Sequence, residues 1–188
     1  MKFFSRAWCA GPLTKVAADA RVKAYWKHVD TLAARLPATV YALGRGVSIH
    51  DGRFCAVQVV RSKQRLEMTL RCGDNQVGYF DLTLGYGSVD FRRTDTLVLS
   101  RIVDDPECEV LYDEIDVTGR GEAQRCVHRV ICWPGYREFD VVFRTLGMRL
   151  EPRASRAFRR RTPVLRDTTR PNRRLQPTAP GAIMSRRG

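Results

Sequence analysis

The chain has 188 residues, 44% of them hydrophobic, and carries a formal net charge of +13. This length fits one ordinary domain with an appendage, and the apolar content is sufficient for a genuine core. No stretch approaches the roughly 18 consecutive apolar residues of a membrane-spanning helix. Arg6 interrupts the short apolar start before a signal-peptide core can form. We therefore expect a cytoplasmic, soluble protein with no membrane partner.

The basic charge is concentrated at the end of the sequence. Residues 152–188 hold eleven arginines against Asp167 alone, whereas residues 1–151 hold 22 basic and 19 acidic residues. We therefore divide the chain into a single domain over residues 1–151 and a basic tail over residues 152–188. The mixture of Pro, Thr and Arg in the tail is typical of disorder. The nearly neutral domain offers no electrostatic reason to expect a polyanion partner.

The first predicted element is an amphipathic helix over Leu13–Leu36. Thr14 is a suitable N-cap, and Pro37 ends the helix because proline lacks a backbone N–H. One face is apolar and charged residues occupy most of the remainder, which favours packing against a sheet or groove. The apolar positions recur at three- and four-residue steps: Val22, Tyr25, Trp26, Val29, Leu32, Ala33 and Leu36.

A linker containing Gly44 and Gly46 leads into a run of about seven strands. The clearest strand is Arg65–Cys72, in which Leu66, Met68, Leu70 and Cys72 alternate with polar residues. The fold class is therefore α+β: one N-terminal helix followed by a mainly antiparallel, meander-like sheet that forms a sandwich, a partly closed barrel or a large curved sheet. The other strands are Phe54–Arg61, Val77–Leu84, Leu97–Val103, Cys108–Val117, Ala123–Trp133 and Tyr136–Arg144.

The catalytic candidates are His50 and Asp51. The chain has no phosphate loop, nucleophile elbow, zinc-protease motif or dinucleotide-binding fingerprint. If there is a reaction, His50 is the general base and Asp51 orients it or holds a cation. The competing interpretation is structural, because Asp51-Gly52 is a strong turn dipeptide before the first hairpin. We favour the turn.

The six cysteines contain no CxxC pair and predict small buried side chains rather than a metal centre. Cys126 and His128 share a strand face, but an ion there would need further ligands that the spacing does not supply. His128 itself is expected to be a satisfied imidazole of the core or an interface. We therefore predict no metal and no cofactor.

The binding candidates are Tyr112, Glu114 and Asp116. Alternation places both acids on one face of a strand, where a hard cation could bridge them or a basic partner protein could dock beside Tyr112. A solvated outer face of the sheet explains the acids best.

Two stretches resemble known sequences. The opening Met1–Trp8 (MKFFSRAW), the early helix and the Ile49-His50-Asp51 step resemble a family of small uncharacterised bacterial proteins with an MKFFTKEW-like start and a Leu-His-Asp step. That resemblance covers residues 1–145 and implies an α+β fold and no established activity; here Ile49 replaces the leucine and Gly52 follows the aspartate. The terminus, residues 170–188, resembles translated repeat or recombination-site DNA that flanks mobile gene cassettes.

Three classes of function remain open. The first is a non-enzymatic accessory or interaction protein of a bacterial mobile gene cassette, acting on a protein partner. The second is a small metal-dependent hydrolase that uses His50 and Asp51. The third is a nonspecific nucleic-acid binder that acts through the arginine-rich tail. The first leads because it needs no missing motif.

Overall fold

The computed structural model describes residues 1–12 and 14–157. It confirms the α+β class, with helices packed on a seven-stranded antiparallel sheet. The helices are α1 (Arg6–Ala10), α2 (Lys15–Thr31), α3 (Ala38–Gly46) and α4 (Thr96–Asp104). The strands are β1 (Arg53–Val60), β2 (Arg65–Asp74), β3 (Gly78–Gly87), β4 (Glu109–Thr118), β5 (Arg125–Trp133), β6 (Arg137–Phe143) and β7 (Thr145–Arg153).

The sheet has the order β6-β5-β4-β1-β2-β3-β7, so β1, β2 and β3 form the predicted meander. Only one residue pair, Arg53 with Glu109, joins β1 to β4, whereas the other ladders run along most of each strand. The sheet therefore divides there into two halves, β4-β5-β6 and β1-β2-β3-β7.

The two halves curl until their inner faces meet. Phe54 of β1 lies 6.2 Å from Phe139 of β6, and Tyr86 of β3 lies 5.0 Å from Phe143, measured between ring centroids. Arg144 alone connects β6 to β7, although these strands are the opposite edges of the sheet. Because two residue steps span at most about 7 Å, the edges meet at that corner. No ladder joins them within the described residues, so the sheet stays open.

The predicted first helix is present, with shorter bounds. The Thr14 side chain accepts a hydrogen bond from the Ala17 N–H and caps α2. The α-helix ends at Thr31, and a short 3-10 helix over Ala33–Arg35 follows it before Pro37. Leu13, the predicted start, lies outside the described residues.

Two helices replace elements that the sequence predicted differently. The segment with Gly44 and Gly46 is helix α3 rather than a linker, and it buries Val40 and Leu43. Leu97–Val103 is most of helix α4 rather than a strand, so that prediction is wrong. Asp95 caps α4 by accepting from the Val98 N–H, and the buried positions Leu99, Ile102 and Val103 have helical spacing.

The seventh strand is instead β7, which pairs with β3 from Gly87–Thr145 to Tyr79–Arg153. It continues two residues past the predicted domain boundary at 151. Disorder was predicted for the tail over residues 152–188. Of these residues, those from 158 onward lie outside the described part of the chain. None of the helices in the described residues is long and apolar enough to cross a membrane.

An ion-pair cluster fixes β7 to the sheet. The Asp81 carboxylate accepts from Arg71 Nε at 2.5 Å and from Arg153 Nε at 2.6 Å, and the Arg71 guanidinium also donates to the Ser155 and Ala157 carbonyls. Burial opposes ionisation of Asp81, but the hydrogen bonds from Arg71 and Arg153 outweigh it and lower the pKa of the carboxyl.

We predict that Asp81→Asn destabilises the protein at neutral pH and matters less in acid. A lowered folded-state pKa contributes stability above the unfolded value of about 4, and this contribution is lost as pH falls through the folded-state pKa. Urea unfolding should show that the variant has a free energy of unfolding about 2 kcal/mol lower than wild type at pH 7. This difference should become smaller towards pH 3. Asp19→Asn, on the exposed face of α2, is the control. A stability difference between wild type and Asp81→Asn that does not change with pH would contradict the role assigned to Asp81.

Candidate functional site

An apolar cleft of about 360 Å³ lies between α2, the end of α3 and the first half of β4. Helix α2 contributes Val22, Tyr25 and Trp26, and β4 contributes Leu111, Tyr112 and Asp113. The remaining wall comes from the N-terminal Phe4 and from the segment that runs from Leu43 through Ser48 to His50. The volume falls within the range of about 300–1,000 Å³ that is common for small ligand sites.

The back of the cleft is set by a close approach of α3 and α2 to β4. A Cβ atom added at Gly44 would lie 3.1 Å from Ile115 Cγ1, so a larger residue would push α3 away from the strand. The Tyr25 hydroxyl accepts a 2.8 Å hydrogen bond from the Ile115 N–H. Burial first, and then the charge of Asp113, raise the pKa of Tyr25, so this hydroxyl stays protonated.

Aromatic rings form one side of the cleft. Phe4 stacks on Tyr112 with ring centroids 4.7 Å apart, and His50 meets the same tyrosine edge-on at 5.2 Å. Phe4 is 2% exposed and also contacts Tyr25 at 5.4 Å. These contacts fix the ring positions before any ligand arrives.

The mouth of the cleft carries Trp26 and Arg45. Trp26 is 39% exposed, and the Arg45 guanidinium lies 4.9 Å from its ring centroid, a cation–π distance. Arg45 Nε also lies 3.1 Å from an Asp30 oxygen that accepts from the Tyr41 hydroxyl at 2.9 Å. The charge of Arg45 is therefore balanced locally, and the mouth is close to neutral.

Beneath the cleft, Asp113 is held by a buried histidine. His128 is fully buried; its Nε2 lies 3.1 Å from Asp113 Oδ2, and its Nδ1 lies 2.7 Å from the Tyr86 hydroxyl. If the tyrosine donates to Nδ1 and Nε2–H donates to the carboxylate, one neutral tautomer satisfies all three groups. Burial and the charge of Asp113 raise the pKa of Tyr86. His128 is thus a satisfied core imidazole, as expected.

The catalytic candidates His50 and Asp51 lie at the outer rim. His50 Nδ1 is 3.0 Å from Asp51 Oδ1, and the two side chains are 45% and 52% exposed. Asp51 has a positive φ of 59°, and Gly52 N–H bonds to the Ile49 carbonyl, which is the geometry of the predicted turn. His50 lines both the apolar cleft and a neighbouring one, whereas Asp51 lines only the neighbouring one. Their catalytic role stays a prediction.

The three binding candidates are mostly engaged within the protein. Glu114 is 2% exposed, and its carboxylate accepts from the backbone N–H groups of Lys2, Phe3 and Phe4 at 2.8, 2.6 and 2.7 Å. The expectation that Glu114 lies on a solvated face is therefore wrong, because the N-terminal segment covers it.

Asp116, the next acid on the same face of β4, has one arginine and one histidine as neighbours. It lies 3.1 Å from Arg129 and 3.4 Å from His28. Of the three residues, only Tyr112 lines the cleft. Their role in binding a partner stays a prediction, and the contacts of Glu114 argue against it for that residue.

The cysteines behave as hydrophobic side chains. None of the six, all of which the structure describes, forms a disulfide bond, and Cys72, Cys108, Cys126 and Cys132 are buried. Burial raises the pKa of Cys55 to about 11 and that of Cys72 to about 12, which suppresses the reactive thiolate. Within residues 1–12 and 14–157, no three His, Cys, Asp or Glu side chains are grouped so that they could hold a metal ion.

The sequence did not predict the cleft, because part of its wall comes from α3, and the glycines of that segment had suggested a linker. The exposed Trp26 on an otherwise half-buried helix was the available signal, since a large aromatic residue at a boundary position often marks a contact surface. Comparison with known proteins found no matching family profile, no similar curated protein and no similar solved structure.

We predict that Glu114→Gln releases the N-terminal segment and destabilises the fold. The substitution removes the charge that three backbone donors share and turns an amide group towards one of them, so the loss should be about 2–3 kcal/mol. Urea unfolding measures this loss. The control is Glu67→Gln on the exposed face of β2. Equal stability of the two variants would contradict the anchoring role of Glu114.

Proposed function

We propose that this protein is a non-enzymatic interaction protein whose apolar cleft receives an apolar side chain presented by a partner protein. The observation that carries the proposal is the aromatic-lined concavity of about 360 Å³ that opens beside the exposed Trp26. Tryptophan, tyrosine and arginine are the residue types that contribute most to binding at protein interfaces, and Trp26, Tyr112 and Arg45 are all present here.

The chemistry of the mouth supports an uncharged anchor. Asp30 balances Arg45, and His128 holds Asp113, so the charged groups around the cleft are already paired. A charged ligand group would lose hydration without gaining a free partner, whereas an aromatic or branched aliphatic group would bury apolar area against Val22, Trp26 and Tyr112.

The cleft is also ordered in advance. Ring contacts hold Phe4 and Tyr112, the Ile115 N–H fixes Tyr25, and Asp30 orients Arg45. Binding would then immobilise few side chains of this protein, which lowers the entropic cost of association.

The two other functions have less support. His50 Nδ1 lies 3.0 Å from Asp51 Oδ1, but both side chains are about half exposed, so solvent reaches the pair freely. Nucleic-acid binding by the tail, and the link to a mobile gene cassette, depend on residues that lie almost entirely outside the described part. Both stay predictions.

Peptide selection against the full-length protein tests the proposal. Peptides selected from a random display library should share an aromatic, leucine or isoleucine anchor, and Trp26→Ala should weaken their binding at least tenfold in fluorescence anisotropy. Gly46→Leu should act similarly, because Gly46 lines the cleft and a Cβ atom there meets no other atom within 4 Å. A larger side chain at this position therefore has room at the wall of the cleft, where it would compete with a ligand for space.

Gly46→Ala is the matched control, since it changes the same backbone position with little bulk and should alter affinity less than twofold. Selection that yields no peptide, or peptides that bind wild type and Gly46→Leu equally, would exclude the cleft as the interaction site.

A further inference from the structure

A second cleft, of about 570 Å³, has the opposite character. It lies at one end of the sheet and is lined by Arg61, Arg92, Arg125 and Arg144 together with a single acid, Asp90. Gln64 and Ser88 add further polar groups. We name it the arginine cleft. The nearly neutral charge of residues 1–151 concealed this local excess of positive charge.

The fold brings these arginines together from distant parts of the chain. Arg61 follows β1, Arg92 lies in the loop after β3, Arg125 begins β5 and Arg144 follows β6. Antiparallel pairing places Arg61 and Arg92 at one end of the β1-β2-β3-β7 half, and Arg125 and Arg144 at one end of the β4-β5-β6 half. The corner between β6 and β7 brings these two ends together.

Backbone hydrogen bonds hold the loops of the arginine cleft against one another. The Val89 N–H bonds to the Gln64 carbonyl at 2.9 Å, and the Asp90 N–H bonds to the Val142 carbonyl at 2.8 Å. The Arg144 N–H bonds to the Gly87 carbonyl at 3.1 Å. The walls are therefore fixed relative to the sheet.

The guanidinium groups are held in place by neutral acceptors. Arg144 donates to the Glu122 carbonyl at 2.7 Å, and Arg125 donates to the Glu122 and Gln124 carbonyls at 3.1 and 2.9 Å. Arg61 donates to the Thr96 hydroxyl at 2.7 Å and packs over the Phe91 ring at 5.0 Å. These bonds orient the side chains, and the carbonyl acceptors of Arg125 and Arg144 carry no charge that would offset that of the guanidinium groups.

Three of the arginines have no carboxylate partner among the residues that the structure describes. Arg92, Arg125 and Arg144 form no ion pair there, and Asp90 uses one carboxylate oxygen to accept from the Arg92 backbone N–H. Like charges that converge in a concave site repel one another and focus a positive potential. An anion bound between them would relieve that repulsion.

We propose that the arginine cleft binds a small molecule that carries a phosphate or diphosphate group. Guanidinium groups pair with phosphate oxygens through two parallel hydrogen bonds, and several converging forks match a multiply charged phosphate better than a single carboxylate. The cleft volume fits one such ligand. A nucleic-acid backbone fits less well, because the cations converge on one hollow instead of following a stripe.

Calorimetric titration of the full-length protein with inorganic pyrophosphate, and separately with adenosine monophosphate, tests this site. Wild type should bind at least one probe with saturable 1:1 stoichiometry. The double variant Arg125→Gln/Arg144→Gln should weaken that binding at least tenfold. Arg101→Gln/Arg149→Gln removes the same charge from positions outside the cleft and should change affinity less than twofold.

The single variant Arg92→Gln distinguishes a loss of binding from a loss of folding, because the exposed Arg92 side chain makes no hydrogen bond or ion pair with the described residues. It should weaken binding at least threefold while the melting temperature stays unchanged.

Three results would overturn the proposal: no saturable binding by wild type, equal weakening by both double variants, or binding of a 20-nucleotide DNA through these arginines without binding of either small probe. Because the Trp26 and Gly46 variants leave the arginine cleft intact, failure here is distinguishable from failure of the peptide-binding proposal.

Discussion

The central constraint in this protein is that β4 pairs fully on one side only. It forms a continuous ladder with β5 but meets β1 at a single residue pair. Backbone groups on the other side of β4 must find partners elsewhere, because buried and unpaired N–H groups are costly. The Tyr25 hydroxyl provides one such partner for Ile115, and Gly44 allows α3 to approach the same point.

The division of the sheet also explains where the apolar cleft comes from. Helix α3 lies between β4 and β7, where the Thr39 hydroxyl bonds to the Leu146 carbonyl. Helices pack against an irregular sheet edge less completely than strands pair with one another, so a hollow remains where α2, α3 and β4 meet. The N-terminal segment covers the adjacent face of β4 because Glu114 collects its three backbone donors. The buried carboxylate of Glu114 thus has a structural role, because it holds the N-terminal segment against β4.

The sequence predicted the strands well where alternation was strict, as in β2, where Leu66, Met68 and Leu70 are each 1% exposed. It failed where tertiary contacts overrode local pattern. The segment from Leu97 to Val103 is rich enough in apolar residues to suit either a strand or a helix, and the Asp95 cap favours the helix. The two glycines of α3 suggested a linker in the sequence. In the structure Gly44 has a packing role instead, because Ile115 lies too close for a larger residue.

The sites were harder to predict than the fold. His50 and Asp51 were identified from local sequence and lie together because they are neighbours in one short turn. The contact of His50 with Tyr112 was not predicted, since β4 lies far from that turn in the sequence. The arginine cleft unites residues more than 80 positions apart, and the pairing order that assembles it cannot be read from one sequence. Glu114 looked like a surface acid because alternation assigns a face but does not reveal what covers that face.

The two outer edges of the sheet differ in how they resist unwanted strand addition. The segment from Asp90 to Thr94 covers the free edge of β6, since Val142 donates to the Thr94 hydroxyl and accepts from the Asp90 N–H. Strand β7 has Pro152, which lacks a donor, and the charged side chains of Arg149, Glu151 and Arg153. Open edges in β proteins commonly promote aggregation, and both devices are known ways to suppress it. An incompletely closed sheet is therefore protected at both edges against strand addition without the hydrogen bonds that would seal it into a barrel.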